Sequence, residues 1–334
     1  MVKTSQLKLL IAVLFLLPFA LLLMLLWLSQ PGHLPVTLGG IPADAAEQHP
    51  IAASPDTPWP RATLLLPLPQ VGGQELTLPE GTEGLVVIRD GKIIHETFKM
   101  GKRPESTNQY SISSSVLTLL LGIASHEKQM DLDHPLQTYV PEAEPQTTLW
   151  QVLERSSRSH MPSADDQKQY SDMLLLARAL EAATKTPLNV YTSAHLWKPI
   201  EAQNEAYWGI PKTPQASRKV LQSFQASLPD VARLGQLVLN GGTWKETRLL
   251  EQAFLDRVLP SAQNGWKGIH FGTFNVEQAR GITFQGLGEP QGFSFPQLHV
   301  LPDQQGVMVY SAPIGSDFPA QFLLRKMFAV PLAN

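Results

Sequence analysis

The longest apolar run of the chain lies near its N-terminus. Leu9 to Leu28 is a 20-residue stretch without a charge, about the length that a helix needs to cross the hydrocarbon core of a bilayer. Lys3 and Lys8 precede this run, and no other Lys or Arg occurs before Arg61. Because cytoplasmic flanks carry the excess of positive charge, the pattern predicts a single-pass membrane anchor with the N-terminus inside and the rest of the chain extracytoplasmic.

This anchor divides the chain into a cytoplasmic N-terminus (residues 1–8), the transmembrane helix (9–28), a linker (29–77) and a folded domain (78–334). A cleaved signal peptide is the alternative, but its apolar core would be shorter, and the nearest A-x-A-like site lies well downstream at Ala43 to Ala45. The linker is predicted from nine prolines between Ser29 and Gln70, which favour an extended, semi-rigid tether. The membrane is thus an expected partner, and the domain is periplasmic if the organism is a bacterium.

Beyond the linker, strand-like patterns give way to helical ones and then return. Gly84 to Phe98 consists of two β-rich runs around Asp90-Gly91, a dipeptide typical of tight hairpin turns. Helical patterns follow at Ser113 to His126, Asp172 to Thr184 and Leu228 to Leu239. Three short strand patterns and a closing helix come last, at Lys267 to Asn275, Phe293 to Leu301, Gly306 to Ser311 and Phe318 to Ala329. This order predicts an α+β (mixed α/β) fold in which the early and late strands share one sheet.

The amino-acid composition excludes several kinds of site and partner. The chain has no Cys, which excludes disulfide scaffolds, thiol nucleophiles and cysteine-ligated zinc. Its net charge of −3 provides no basic field, so a nucleic-acid partner is not expected. The nine His residues show no H-E-x-x-H spacing, and we expect neither a metal nor another cofactor.

Three segments of the predicted domain resemble a known family. They are YSISSSVLTLLLGIASHEKQMDLDHPLQTYVPE from Tyr110 to Glu142, YSDMLLLARALEAATKTPLNVYTSAHLWKPI from Tyr170 to Ile200, and DVARLGQLVLNGGTWKETRLL from Asp230 to Leu250. In this order they resemble the β-lactamase-related serine hydrolases, which include class C β-lactamases, penicillin-binding-protein-like esterases and 6-aminohexanoate-dimer hydrolases. The resemblance implies a β-lactamase/transpeptidase-like sheet flanked by helices, an inserted helical lobe, and an active site where the two meet.

The resemblance places a nucleophile on Ser111 but gives it no base. In the family, a Lys three residues after the Ser lies on the same helix face and activates the hydroxyl. That position is Ser114 here, and the first Lys after Ser111 is Lys128. Tyr170 stands at the proton-shuttling Tyr of the family's Tyr-x-Asn motif, whose Asn is replaced by the acceptor-only Asp172. Ser111 and Tyr170 are therefore the candidate catalytic residues, although an N-cap Ser and a core Tyr would explain them equally well.

Two further motifs depart from the family pattern. Pro290 to Gly292 aligns where relatives carry Lys-Thr-Gly or His-x-Gly on a strand beside the site. Ser156 to Arg158 stands where many relatives have Thr-Ser-Gly, which predicts a rebuilt loop. His160 and His270 are candidates for a replacement base, with ordinary core or surface roles as the alternative. The candidate substrate-binding residues are Asp172, Gln291 and Gly292.

Three functions remain open. The first is a catalytically impaired hydrolase-like protein that acts as a binding or scaffolding module for a small-molecule or cell-wall-type ligand. The second is an active serine hydrolase for ester, amide or β-lactam-type acyl transfer, in which Ser111 and Tyr170 use a non-standard base. The third is a structural envelope protein whose anchor and tether carry the function. The missing Lys and the altered motifs favour the first, since loss of selection for the chemistry explains them together.

Overall fold

The computed structural model describes residues 46–54, 57–99, 107–108, 112–157, 166–211, 224–263, 265, 267–276, 279–284, 294–313 and 318–329. The chain divides into two units, Met1–Pro42 and Ala43–Asn334, and every described residue belongs to the second. The predicted anchor at residues 9–28 lies outside the described residues. Within the described part of the chain, no helix combines the length and the apolar character needed to cross a membrane.

The strands of the described chain are β1 (Ala46–Ile51), β2 (Gln70–Val71), β3 (Gln74–Glu75), β4 (Gly84–Arg89), β5 (Lys92–Phe98), β6 (Thr107–Asn108), β7 (Ala206–Pro211), β8 (Phe224–Ala226), β9 (Thr243–Trp244), β10 (Thr247–Arg248), β11 (Phe271–Val276), β12 (Ala279–Phe284), β13 (Ser294–Leu301) and β14 (Gly306–Pro313). The helices are α1 (Ser113–His126), α2 (Leu149–Ser156), α3 (Asp166–Thr184), α4 (Leu188–Thr192), α5 (Leu228–Leu239), α6 (Gln252–Val258) and α7 (Ala320–Ala329).

The larger sheet joins early and late parts of the folded unit. Its six antiparallel strands run in the order β11-β12-β13-β14-β4-β5, with Val309 of β14 opposite Val86 of β4. β4 and β5 form the predicted hairpin, and both Asp90 (φ 49°) and Gly91 (φ 72°) take the positive φ angles of a tight turn. The prediction that the early and late strands share one sheet is therefore confirmed.

Helices cover both faces of this sheet. On one face Val86 and Val307 belong to the core that α1 and α5 complete. Gly235 allows α5 to approach closely, because a Cβ at this position would lie 2.7 Å from a methyl group of Val307. On the other face Val87 and Met308 pack in a second core with α7. The fold is thus mixed α/β, as predicted.

The segment between β5 and β11 supplies helices α1 to α6 and most of a second sheet, of order β1-β7-β8-β6. α1 is deeply enclosed, since every residue from Ser113 to Ala124 is buried. α5 starts after the N-cap Ser227 and ends before Gly241 and Gly242, whose φ angles are positive. The predicted bounds of this helix are confirmed.

The folded unit begins before Leu78, where composition placed its start. β1 pairs with β7, Ile51 lies opposite Ala206, and Ile51 is fully buried. Trp59 is buried as well. The linker prediction for residues 29–77 is therefore wrong from residue 46 onwards, since Ile51 and Trp59 of this stretch pack into the core of the domain.

Arg233 of α5 ties this N-terminal stretch to the core. Its buried guanidinium carbon lies 4.9 Å from the ring centroid of Trp59 and 5.7 Å from that of Trp244. Its Nη atoms donate to the carbonyls of Ile200 and Thr57 at 3.0 and 3.2 Å. Prolines make a backbone extended but do not decide whether it is solvated, and for this reason composition alone missed the packing.

Candidate active site

The start of α1 carries the first motif of the candidate site. Ser111 stands two residues before the helix along the chain and lies outside the described residues. The next serine, Ser113, is buried, and its Oγ accepts a hydrogen bond from the Phe224 amide at 3.4 Å. This contact links the first turn of α1 to β8.

Ser114, which the family resemblance aligns with the activating Lys, has only 1% of its surface exposed. Its carbonyl accepts a hydrogen bond from Thr118 Oγ1 at 2.8 Å. A hydroxyl is not a base at neutral pH and carries no charge, so this residue cannot do what an amine does at the same place.

His270 is the candidate replacement base that the structure describes, and it lies beside α1. It precedes β11 with φ 59°, and its carbonyl accepts a hydrogen bond from Ser115 Oγ at 2.5 Å. Its Nε2 is 2.9 Å from Ser156 Oγ, which also donates to the Leu153 carbonyl at 2.8 Å. A hydroxyl has one proton, so Ser156 donates it either to the Leu153 carbonyl, with His270 Nε2 as the donor to Ser156, or to Nε2 in the other tautomer. In both arrangements Nε2 is engaged with Ser156.

The contact between Ser156 and His270 has the chemistry of a nucleophile and its base, and the sequence patterns did not reveal it. The two residues are 114 positions apart, so no local spacing could signal the pair. Ser156 is fully buried and His270 nearly so. An enclosed hydroxyl is not accessible to a substrate, and the contact therefore acts by joining the end of α2 to the chain before β11.

Asp172 lies on α3, and its carboxylate is buried and paired. Arg155 donates to it twice, from Nε to Oδ2 at 2.8 Å and from Nη2 to Oδ1 at 2.7 Å. Arg155 Nη1 also donates to Glu144 at 2.8 Å. The hydrogen bonds that Arg155 donates to Asp172 are the largest cause of the raised pKa of Arg155, and burial partly opposes them. Only a carboxylate accepts such a two-pronged contact with full charge compensation, which gives Asp172 a structural reason to differ from Asn.

The remaining predicted site residues are only partly described. Tyr170 lies on α3 two residues before Asp172. Four further candidates, namely Ser111, His160, Gln291 and Gly292, lie outside the described residues, the last two between β12 and β13 along the chain. The roles proposed for these residues stay predictions. Among the residues that the structure describes, no three His, Asp or Glu side chains converge as metal ligands would.

The strand order, the enclosed helix α1 and the helical lobe define a class: the chain has the fold of the β-lactamase- and penicillin-binding-protein-like serine hydrolases. One similar structure is a Bacillus anthracis protein assigned as a 6-aminohexanoate-dimer hydrolase, with a TM-score of 0.64, 17% identity, and coverage of 91% of this chain and 94% of the other. The octameric penicillin-binding protein homologue of Pyrococcus abyssi has a TM-score of 0.55 and 11% identity, and the match covers 75% of this chain and 74% of the other. The class C β-lactamase of Rhodobacter sphaeroides has a TM-score of 0.51 and 12% identity, and the match covers 75% of this chain and 95% of the other.

No family model and no curated protein matches the chain. At identities below one fifth, the structural similarity establishes the fold and not the reaction. The family resemblance inferred from the three sequence segments is confirmed at this level, and the chemistry has to be argued from the side chains themselves.

Proposed function

We propose that this chain is a membrane-anchored, extracytoplasmic protein of the serine hydrolase fold in which catalysis is impaired and the cleft serves as a binding or scaffolding module. The observation that carries the proposal is the enclosed Ser114 at the position of the activating Lys. Its ligand would be a small molecule or a cell-wall-type compound, bound near the start of α1.

The surroundings of Ser114 support the loss of chemistry. Ser113 and Ser115 on either side are engaged with Phe224 and with the His270 carbonyl, so the first turn of α1 is held by internal contacts. A neutral Ser111 hydroxyl is a weak nucleophile unless a neighbour takes its proton. Without an amine at position 114, that proton has no acceptor of the usual kind.

The second motif supports the same conclusion. In an active site, the residue at position 172 would be free to contact a ligand. Here both carboxylate oxygens of Asp172 accept from Arg155, and an arginine engaged in this way is not a base. The position that would serve substrate binding thus contributes to the packing of α2 against α3.

An active hydrolase is the second candidate, and one observation favours it. Ser115 Oγ donates to the His270 carbonyl, so the backbone of the candidate base His270 lies against the helix that follows Ser111 along the chain. In this candidate function, His270 would have to leave Ser156 before it could act as a base. The orientation of Nε2 towards Ser156 argues against this in the resting protein.

The test is covalent labelling of the full chain in detergent micelles with a fluorophosphonate probe and a fluorescent penicillin, read by intact mass. Four proteins are compared: wild type, Ser111→Ala, Ser114→Lys and Ser114→Met. Met has nearly the length of Lys but no amine, so it controls for the cost of filling a buried position. Melting temperatures of all four are recorded beside the labelling.

The proposal expects an unlabelled wild type and an unlabelled Ser114→Met, with labelling gained in Ser114→Lys. Wild-type labelling that disappears in Ser111→Ala would overturn it in favour of the active hydrolase. If Ser114→Lys does not fold, the wild-type result still decides between the two, because the active hydrolase requires labelling without any substitution.

A further inference from the structure

An exposed apolar surface lies at the N-terminal side of the folded unit. Leu64, Leu65 and Val71 are 74%, 36% and 54% exposed, and the stretch from residue 62 to residue 74 contains no charged side chain. We call these three residues the apolar patch. Single exposed apolar residues are normal on proteins, but several together commonly mark a contact surface.

A groove lies beside the segment that joins Leu65 to Val71 along the chain. It has a volume of about 360 Å³ and runs between the residue 66–70 segment and α7. Its apolar lining comes from Leu66, Pro67, Leu68, Pro69 and Met327. Gln70, Glu75 and Lys326 complete the lining, so the groove carries one acidic and one basic side chain. Most of it comes from the stretch that composition had assigned to a tether.

The backbone under this surface is fixed. The Leu66 amide donates to the Ile94 carbonyl at 2.7 Å, and the Leu66 carbonyl lies 2.7 Å from His95 Nδ1. The Leu68 amide donates to Glu75 Oε1 at 3.2 Å. On the other side of Leu65, the Ala62 amide donates to the Ile93 carbonyl at 2.9 Å. The backbone is therefore held on both sides of the exposed Leu64 and Leu65.

Cations border the apolar surface. Arg325 and Lys326 are exposed on α7, both close to the ring of Phe322, and Lys326 also lines the groove. Arg61 at the other end is paired with Glu96. Exposed apolar side chains rimmed by Lys and Arg are the arrangement that inserts into the headgroup region of a bilayer containing anionic lipids.

We propose that the apolar patch and groove lie on the surface of the membrane that anchors the chain. This inference rests on the anchor at residues 9–28 in the proposed function. The connecting residues 29–45 can span at most about 60 Å even when fully extended. A tether of this length keeps the folded unit at high effective concentration near the bilayer, so weak insertion of three side chains is sufficient to dock it.

The absence of Cys from the chain makes the test direct. Leu64→Cys and Val190→Cys are made in the full chain, labelled with the environment-sensitive dye NBD, and reconstituted into vesicles of phosphatidylcholine with one quarter phosphatidylglycerol. Val190 is the matched control, an apolar residue 49% exposed on α4 and not part of the patch. Lipids that carry a doxyl quencher report contact with the bilayer.

We expect the dye at position 64 to be quenched at least about three-fold more strongly than the dye at position 190, and to emit at shorter wavelength in vesicles than in detergent. Adding Val71→Glu to the Leu64→Cys protein should remove most of that difference. Equal, weak quenching at both positions in vesicles that retain the chain would overturn the docking and leave the anchor intact.

Two other results would also overturn it. If the chain does not float with the vesicles at all, the anchor is wrong and the docking falls with it. A second copy of the chain would be the occupant if two observations were made together. In detergent, the dye at position 64 would become more shielded from solvent as the protein concentration rises, and in vesicles it would not be quenched by doxyl lipid. Neither result bears on the labelling of Ser111, so the catalytic part of the proposed function is judged separately.

Discussion

Replacing Asp172 with Asn tests whether this motif position has become structural. The change restores the residue that the family pattern expects and removes the negative charge from the contact with Arg155. An amide presents one acceptor and one donor, so its NH2 group would face an N–H of the guanidinium. One of the two hydrogen bonds is therefore lost, and the other is no longer formed to a charged acceptor.

The burial of the Arg155–Asp172 pair determines how much the substitution lowers the free energy of unfolding. The Asp172 side chain is 3% exposed and that of Arg155 is 26% exposed. Breaking a fully buried ion pair costs about 3–5 kcal/mol, whereas exposed pairs contribute about 0–1 kcal/mol. Since Arg155 is partly solvated and keeps Glu144 as a partner, we expect Asp172→Asn to lower the free energy of unfolding by about 2 kcal/mol. For a domain of this size the melting temperature should fall by about 4–8 °C.

Urea unfolding followed by circular dichroism measures this loss. The matched control is Asp133→Asn, the same chemical change in an exposed pair, where Asp133 is 66% exposed beside Arg257. It should cost no more than about 0.5 kcal/mol. A double-mutant cycle with Arg155→Met should give a coupling of about 1–2 kcal/mol between positions 155 and 172.

Equal losses in the two Asn variants, or additive effects of the changes at positions 155 and 172, would refute the structural role. Asp172 would then have to be treated again as a ligand-binding residue, and one of the two supports for an impaired site would be lost.

Two further predictions concern stability away from the candidate site. Burial lowers the pKa of His299 to about 4, whereas His299 in the unfolded chain takes up a proton near pH 6.5. The free energy of unfolding should therefore fall by roughly 3 kcal/mol as the pH drops from about 6.5 to about 4. His299→Phe should flatten this part of the pH profile in urea unfolding, and an unchanged profile would assign the acid sensitivity to other groups. Arg233→Met should cost about 3 kcal/mol because two carbonyls lose their donor, and it should expose the chain around Trp59 to limited proteolysis; resistance equal to wild type would mean that Arg233 does not hold this stretch.

Features encoded by neighbouring residues could be predicted from the sequence. The Asp90-Gly91 turn needs only two residues that accept positive φ angles, and it appears where expected. The bounds of α5 follow from Ser227 at its start and the glycines behind it. In each case the physical signal lies within a few positions of the element it defines.

Features that depend on distant partners could not be predicted in this way. The N-terminal stretch looked like a tether because its prolines are visible in the sequence, whereas the pairing of Ile51 with Ala206 is not. The same holds for the site. The Arg155 contact that occupies Asp172, and the His270 contact with Ser156, join residues with no periodic relationship.

The changes at the two altered motif positions, 114 and 172, are expected to affect folding stability in the same sense. A Lys in place of Ser114 would be an ammonium with almost no access to water, and such a group costs folding stability unless it is paired. Asn at position 172 would leave Arg155 without a buried counter-charge. Ser114 avoids the cost of a buried ammonium, and Asp172 avoids the cost of an arginine without a counter-charge. Relative to the family pattern, both changes therefore replace a group suited to catalysis with one that is more stable in the protein interior. Functional sites commonly retain destabilising side chains only while the chemistry requires them. The proposed loss of acyl transfer therefore predicts that Ser114 and Asp172 both stabilise the fold relative to the family's Lys and Asn.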